Sequence, residues 1–126
     1  MVQIYNPSVV GKQILIDVKN IDSDKLKTID MIKPFMDMII SELNLNVVGE
    51  SSHQFEKFNG PHGVTMIYLL SESNLSIHTC VDEGKIALDL FTCSLGIEIE
   101  KIKSIIKDYF EVYSLNIDAY YFTRGN

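Results

Sequence analysis

Tryptophan is absent from the chain, only two cysteines and three prolines occur in its 126 residues, and lysine and arginine nowhere cluster. Each shortage excludes something. Nucleic-acid phosphates demand a basic patch, and a chain of formal net charge −6 offers none. A small cationic molecule suits this charge balance better. No apolar run approaches the roughly 20 residues of a spanning helix. Residues 1–10 also lack a basic start followed by an apolar stretch, so we expect a cytoplasmic protein with no membrane contact. Cys80 and Cys93 are then expected to remain thiols rather than a disulfide. His53 and His62 stand at no ligand-like spacing from either cysteine, which argues against a metal site.

What is present is ordinary globular composition, 46% hydrophobic and 22% charged, at a length that buries one core. We therefore expect a single domain. Aliphatic and β-branched residues predict a strand over residues 11–18. The spacing of Leu26, Ile29, Ile32, Met36, Ile39, Ile40 and Leu43 predicts a helix over 24–43, capped by Asp22 or Ser23, with a kink or fresh start near Lys33 because Pro34 lacks an N–H. Strands are predicted over 46–54, 64–70, 75–80, 85–93 and 116–122. A Gly/Pro-punctuated loop is expected at 55–63, a short polar connection at 71–74, and an amphipathic helix at 97–110. Consecutive strands joined by short turns imply an α/β fold, a two-layer sandwich of a mainly antiparallel sheet with two helices on one face.

One stretch is dense in chemistry: Ser71-Glu72-Ser73-Asn74-Leu75-Ser76-Ile77-His78-Thr79, followed by Asp89-Leu90-Phe91-Thr92-Cys93. Taken singly, these residues have plain readings. Ser-Glu-Ser-Asn is an ordinary turn sequence, a strand histidine is usually hydrogen-bonded structure, and a cysteine is usually a small buried hydrophobe. Jointly they resemble the signature of the prokaryotic-type S-adenosylmethionine decarboxylase proenzymes, pyruvoyl-dependent enzymes. Gly63-Val64-Thr65 and residues 11–17 add to the likeness.

The resemblance implies a self-cleaving chain. The Glu72–Ser73 bond would break, leaving a β chain of residues 1–72 and an α chain of residues 73–126 that begins with a pyruvoyl group made from Ser73. His78 would be the processing proton acceptor, Thr65 the processing hydroxyl where the family usually has serine, and Cys93 the proton donor in turnover. The covalently bound pyruvoyl, with no metal, would take the substrate amine as a Schiff base, and the product would supply polyamine (spermidine) synthesis. The family's protomers pair, so a homodimer of processed protomers is implied.

Departures fall where substrate would be held. Cys80-Val81-Asp82 replaces the family's usual Trp-Pro-Glu, Gln13 stands where histidine is usual, and the segment from Phe55 to His62 is longer than the family's. Glu72, Leu70, Phe58 and Asp82 are the candidate substrate contacts, with Phe55 or Phe58 as a stacking face in place of tryptophan. S-adenosylmethionine is the expected substrate. Arginine or ornithine on the same scaffold is the alternative, and an unprocessed regulatory partner of an active homologue is the alternative from another class.

Overall fold

The structure, a computed structural model, describes residues 9–94 and 96–125. In chain order it comprises β1 (Val9–Val18), α1 (Ile29–Glu42), β2 (Val47–Lys57), β3 (Gly60–Leu70), β4 (Ser73–Cys80), β5 (Lys85–Thr92), α2 (Ile99–Phe110) and β6 (Ile117–Gly125). The six strands form one sheet in the order β2-β3-β4-β5-β1-β6, every pairing antiparallel. Alternate strand residues point to opposite faces. Ile14 and Ile16, Val64 and Met66, Leu75 and Ile77, and Leu88 and Leu90 turn one way and pack with Ile32, Phe35, Met36 and Ile39 of α1 and Ile102, Ile106 and Phe110 of α2. Among the described residues the other face carries no helix, which is the expected two-layer sandwich. No helix among the described residues is long and apolar enough to cross a membrane.

Three boundaries differ from expectation for local reasons. The helix foreseen from residue 24 is a 3₁₀ turn, Ser23–Lys25, and then α1. Thr28 Oγ1 accepts from Met31 N at 3.1 Å and Gln54 Oε1 accepts from Ile29 N at 2.9 Å, so the free amides that define the start of α1 begin five residues later, at Ile29. α1 also runs unbroken through Pro34. Both Pro34 and Asp30, whose carbonyl loses its partner, face solvent, so water can satisfy that carbonyl. The loop expected at 55–63 is instead a tight hairpin. Phe58 and Asn59 take φ of 56° and 61°, and Lys57 pairs with Gly60. Two successive positive φ values make a primed turn, whose twist matches the strands it joins.

Two close contacts hold this frame together. Gly11 lies where β1 meets the end of β5, and a Cβ there would sit 2.5 Å from the Thr92 carbonyl oxygen and 2.8 Å from the Phe91 ring. Tyr68, buried in the core, donates from its hydroxyl to Asp37 of α1 at 2.5 Å and accepts from Lys33 Nζ at 2.9 Å. Burial, then the hydrogen bond to the Asp37 carboxylate, push the Tyr68 phenol above its ordinary range, while Lys33 pulls the other way.

Gly11→Ala should lower unfolding stability by about 1–3 kcal/mol in a urea titration, because the added methyl meets backbone. Tyr68→Phe should cost about 1 kcal/mol near neutral pH. The folded phenol holds its proton more tightly than the unfolded one. Its contribution is therefore full below the unfolded pKa of about 10 and is lost as pH rises through the higher folded value. The Phe variant should show a shallower alkaline loss of stability.

Candidate active site

The β3–β4 hairpin is closed by the shortest loop that can join antiparallel strands. Leu70 pairs with Ser73, only Ser71 and Glu72 lie between, and neither takes a positive φ. A two-residue turn that is not primed splays its strands. Here the hairpin borders a cavity of about 120 Å³ whose walls include Asn44, Asn46, Leu70, Glu72, Ser73 and Ser94. The far wall is the end of α1, where Asn44 adopts the left-handed conformation (φ 53°) and Leu45 N returns to Ile40 O at 3.0 Å. This is the helix stop that asparagine tolerates. Ser71 N donates to Asn46 O at 3.0 Å and pins the turn to that wall.

Ser73 opens β4, half-buried, and its ladder partner is Thr92. Cys93, also half-buried, is the next residue after Thr92, which sets the candidate proton donor one position beyond the ladder partner of the candidate nucleophile. Thr92 Oγ1 accepts from Ser94 N at 3.0 Å, which folds the chain back and directs Ser94 into the cavity. Leu70, buried, and Glu72, exposed, flank the same space.

Thr65 and His78 are brought together elsewhere. They are paired residues of β3 and β4, with Thr65 Oγ1 and His78 Nδ1 3.1 Å apart, the proton's direction depending on the imidazole tautomer. His78 lies five residues beyond Ser73, about 17 Å along the strand at the usual rise, and by alternation on the opposite, helix-free face. His53 is the ladder partner of Thr65, and its ring meets Phe55 edge-on at 4.5 Å. Across this face run Leu69, Asn74, Phe91, Gln13 and Phe122 in register, and beside them Ile67, Ser76, Asp89, Leu15 and Tyr120. Leu69, Tyr120 and Phe122 are each more than half exposed, at 54%, 55% and 51%.

Phe58 and Asp82 lie at the other end of β3 and β4 from Ser73, roughly 30 Å away at the usual strand rise. Within one chain neither faces Ser73. Asp82 is bound by Lys57 Nζ at 3.0 Å and His62 Nε2 at 2.8 Å, in that order of effect, and these hold its carboxyl below the usual range. Phe58 packs edge-on to His62 at 5.9 Å and beneath Lys57. Two neighbours of the signature residues have structural work. Thr79 Oγ1 accepts from Val64 N and donates to Leu26 O, each at 2.9 Å, and Gln54 Nε2 donates to Lys27 O at 2.7 Å and Gly63 O at 2.9 Å. The residues that sequence reasoning missed are Thr92, Ser94, Asn44 and Asn46. A lone hydroxyl or amide beside a turn has no periodicity or spacing to mark it.

Among the described residues no three His, Cys, Asp or Glu side chains converge as metal ligands would. The arrangement offers a hydroxyl nucleophile at a turn, a thiol beside it, and a hydroxyl–imidazole pair on the open face.

Comparison with known proteins bears on the family and the fold. A family profile described as S-adenosylmethionine decarboxylase matches residues 12–125. The S-adenosylmethionine decarboxylase proenzyme of Symbiobacterium thermophilum is 37% identical over 91 residues, 72% of this chain and 66% of that protein. The alignment thus spans just under two thirds of that relative. The proenzyme of the same name from Archaeoglobus fulgidus is 29% identical over 103 residues, covering 82% of this chain and 88% of its own. The crystal structure of the adenosylmethionine decarboxylase from Aquifex aeolicus superposes with a TM-score of 0.79 at 26% identity, covering 94% of this chain and 93% of that one. On the profile match and the shared fold, this chain belongs to the S-adenosylmethionine decarboxylase family.

Proposed function

We propose that this chain cleaves itself between Glu72 and Ser73 and then decarboxylates S-adenosylmethionine with a pyruvoyl group made from Ser73. The observation that carries the reading is the placement of Ser73 directly after a two-residue turn, with Cys93 following its ladder partner Thr92. Ser73 suits the group's origin. The bond before it lies in the turn, a cavity adjoins it, and release of the bond would free the start of β4 without cutting any strand.

The cleavage balances as follows. Ser73 Oγ attacks the Glu72 carbonyl carbon and gives up its proton; the C–N bond breaks as the Ser73 nitrogen takes one, leaving an ester. Loss of the Ser73 Cα proton expels the Glu72 carboxylate, and water then replaces the nitrogen, releasing ammonia. A serine hydroxyl needs a proton acceptor for the first step. His78 of the same chain is about 17 Å away along β4, so the Thr65–His78 pair would act on the Glu72–Ser73 bond of a second copy, reached at the exposed Ser71-Glu72 turn, the copies meeting through the helix-free face that exposes Leu69, Tyr120 and Phe122. Phe55, beside His53 and therefore near Thr65, would be the stacking surface that replaces tryptophan.

When formed, the ketone would supply an electrophile for the substrate amine and a sink for the electrons left by departing carbon dioxide. The half-buried Cys93 would hold the proton that returns to the substrate carbon. Leu70 would shield that proton transfer from water.

Intact mass of the purified protein should give two fragments meeting at Glu72 and Ser73, the second with a blocked N-terminus; a single chain of 126 residues would favour the regulatory-partner alternative. Ser73→Ala should remain intact and inactive. Cys93→Ala should still cleave but release carbon dioxide about 100-fold more slowly, the usual scale for a lost general acid. Release from S-adenosylmethionine, and not from arginine or ornithine, is expected; the reverse preference would overturn the substrate assignment.

A further inference from the structure

Among the described residues, Ser94 Oγ is the buried side-chain oxygen without a hydrogen-bond partner. The residue is 9% exposed, and its neighbours in the cavity are Glu72 and Ser73, the two sides of the proposed scissile bond. A buried hydroxyl left unpaired costs about 1–3 kcal/mol, and such a group in a native fold calls for an explanation. The local geometry does not arise by default. Ser94 is turned inward by its own N–H bonding to Thr92 Oγ1 at 3.0 Å, and Thr92 is buried and paired with Ser73. One tie thus holds the unpartnered hydroxyl in fixed relation to the serine that would be modified.

We infer that Ser94 is a further residue of the self-cleavage machinery, its Oγ–H donating a hydrogen bond to the Glu72 carbonyl oxygen as that oxygen gains negative charge. The inference rests on the self-cleavage reading. When Ser73 Oγ forms its bond to the Glu72 carbon, the carbonyl π pair moves onto oxygen. When the C–N bond breaks, that pair returns to re-form the carbonyl and the ester results. Ser94 transfers no proton; it stabilises the charge while it exists, and a preorganised donor does this well because it need not reorient. The resting chain leaves this hydroxyl unsatisfied, and the intermediate satisfies it, so the interaction favours the transition state over the ground state. Thr65 meets the same bond from the opposite face in a second copy, which makes the two hydroxyls separate contributors.

The test is the first-order rate of chain cleavage in freshly expressed or refolded protein, followed by denaturing electrophoresis, alongside the melting temperature of chains held uncleaved by Ser73→Ala. Ser94→Ala should slow cleavage on the order of 100-fold, the scale seen when one oxyanion donor is removed. In the Ser73→Ala background it should leave the melting temperature unchanged or higher, because it deletes an unpartnered buried polar atom. Ser94→Thr, which keeps the hydroxyl, should recover most of the rate. Cleavage of Ser94→Ala at the parental rate would overturn the role of Ser94 alone and leave the hydroxyl to a bridging water. A parental chain that never cleaves would overturn the self-cleavage reading, and this role with it. If the Ala variant does not fold, Ser94→Gly carries the same expectation on rate, and parental-rate cleavage there would likewise overturn the role.

Discussion

A two-residue turn leaves the strand after it no freedom of phase. With Leu70 paired to Ser73, each later residue of β4 has its face assigned: Leu75 and Ile77 turn to the helices, and Asn74, Ser76 and His78 turn to the open side. A slip of one residue would expel Leu75 and Ile77, both at 0% exposure, from the core. Burial of those two side chains therefore fixes the register that sets Ser73 against Thr92 and Thr65 against His78. The same parity holds Ser73 and His78 on opposite faces, so the proposed chemistry would split into a nucleophile half and a proton-acceptor half.

The nucleophile half is braced from several directions. The left-handed Asn44 stops α1 and turns the chain into β2, the carbonyl of Asn46 holds Ser71, and Gly11 lets β1 lie close beneath Thr92. The end of α1, the β3–β4 turn and the segment after β5 converge on one cavity, although they are far apart in sequence. On the other face, Thr65, His78, His53 and Phe55 have fewer neighbours, and the surrounding apolar residues lie open. That half is the one expected to be completed by a second copy.

Strong periodicity made much of the fold readable. The alternation of Ile86, Leu88 and Leu90 and the three-and-four spacing of Ile102, Ile105 and Ile106 name β5 and α2 almost to the residue. Where a boundary was misplaced, a distant partner had decided it. The start of α1 depends on Gln54, reaching from β2 across 25 positions, and no local pattern records that. Residues 55–63 read as a loop because two glycines and a proline punctuate them, yet Phe58-Asn59 forms a tight turn at positive φ, a conformation phenylalanine rarely takes. The candidate residues Ser73, His78 and Cys93 stood out only through their resemblance to a known signature. Their separation into two faces was legible only from the register, and Ser94 only from its burial.

The central claim is that the two halves act on one another across copies, and complementation between inactive chains tests it most directly. A Ser73→Ala chain retains Thr65 and His78 but lacks the hydroxyl that attacks the Glu72 carbonyl, and a His78→Ala chain retains that hydroxyl but lacks the acceptor. Each alone should stay intact. Unfolded together and refolded as a mixture, they should yield the two fragments of the His78→Ala chain, resolved by intact mass. Cleavage of the His78→Ala chain by itself at the parental rate, or a mixture that stays whole while the parental chain cleaves, would contradict the account.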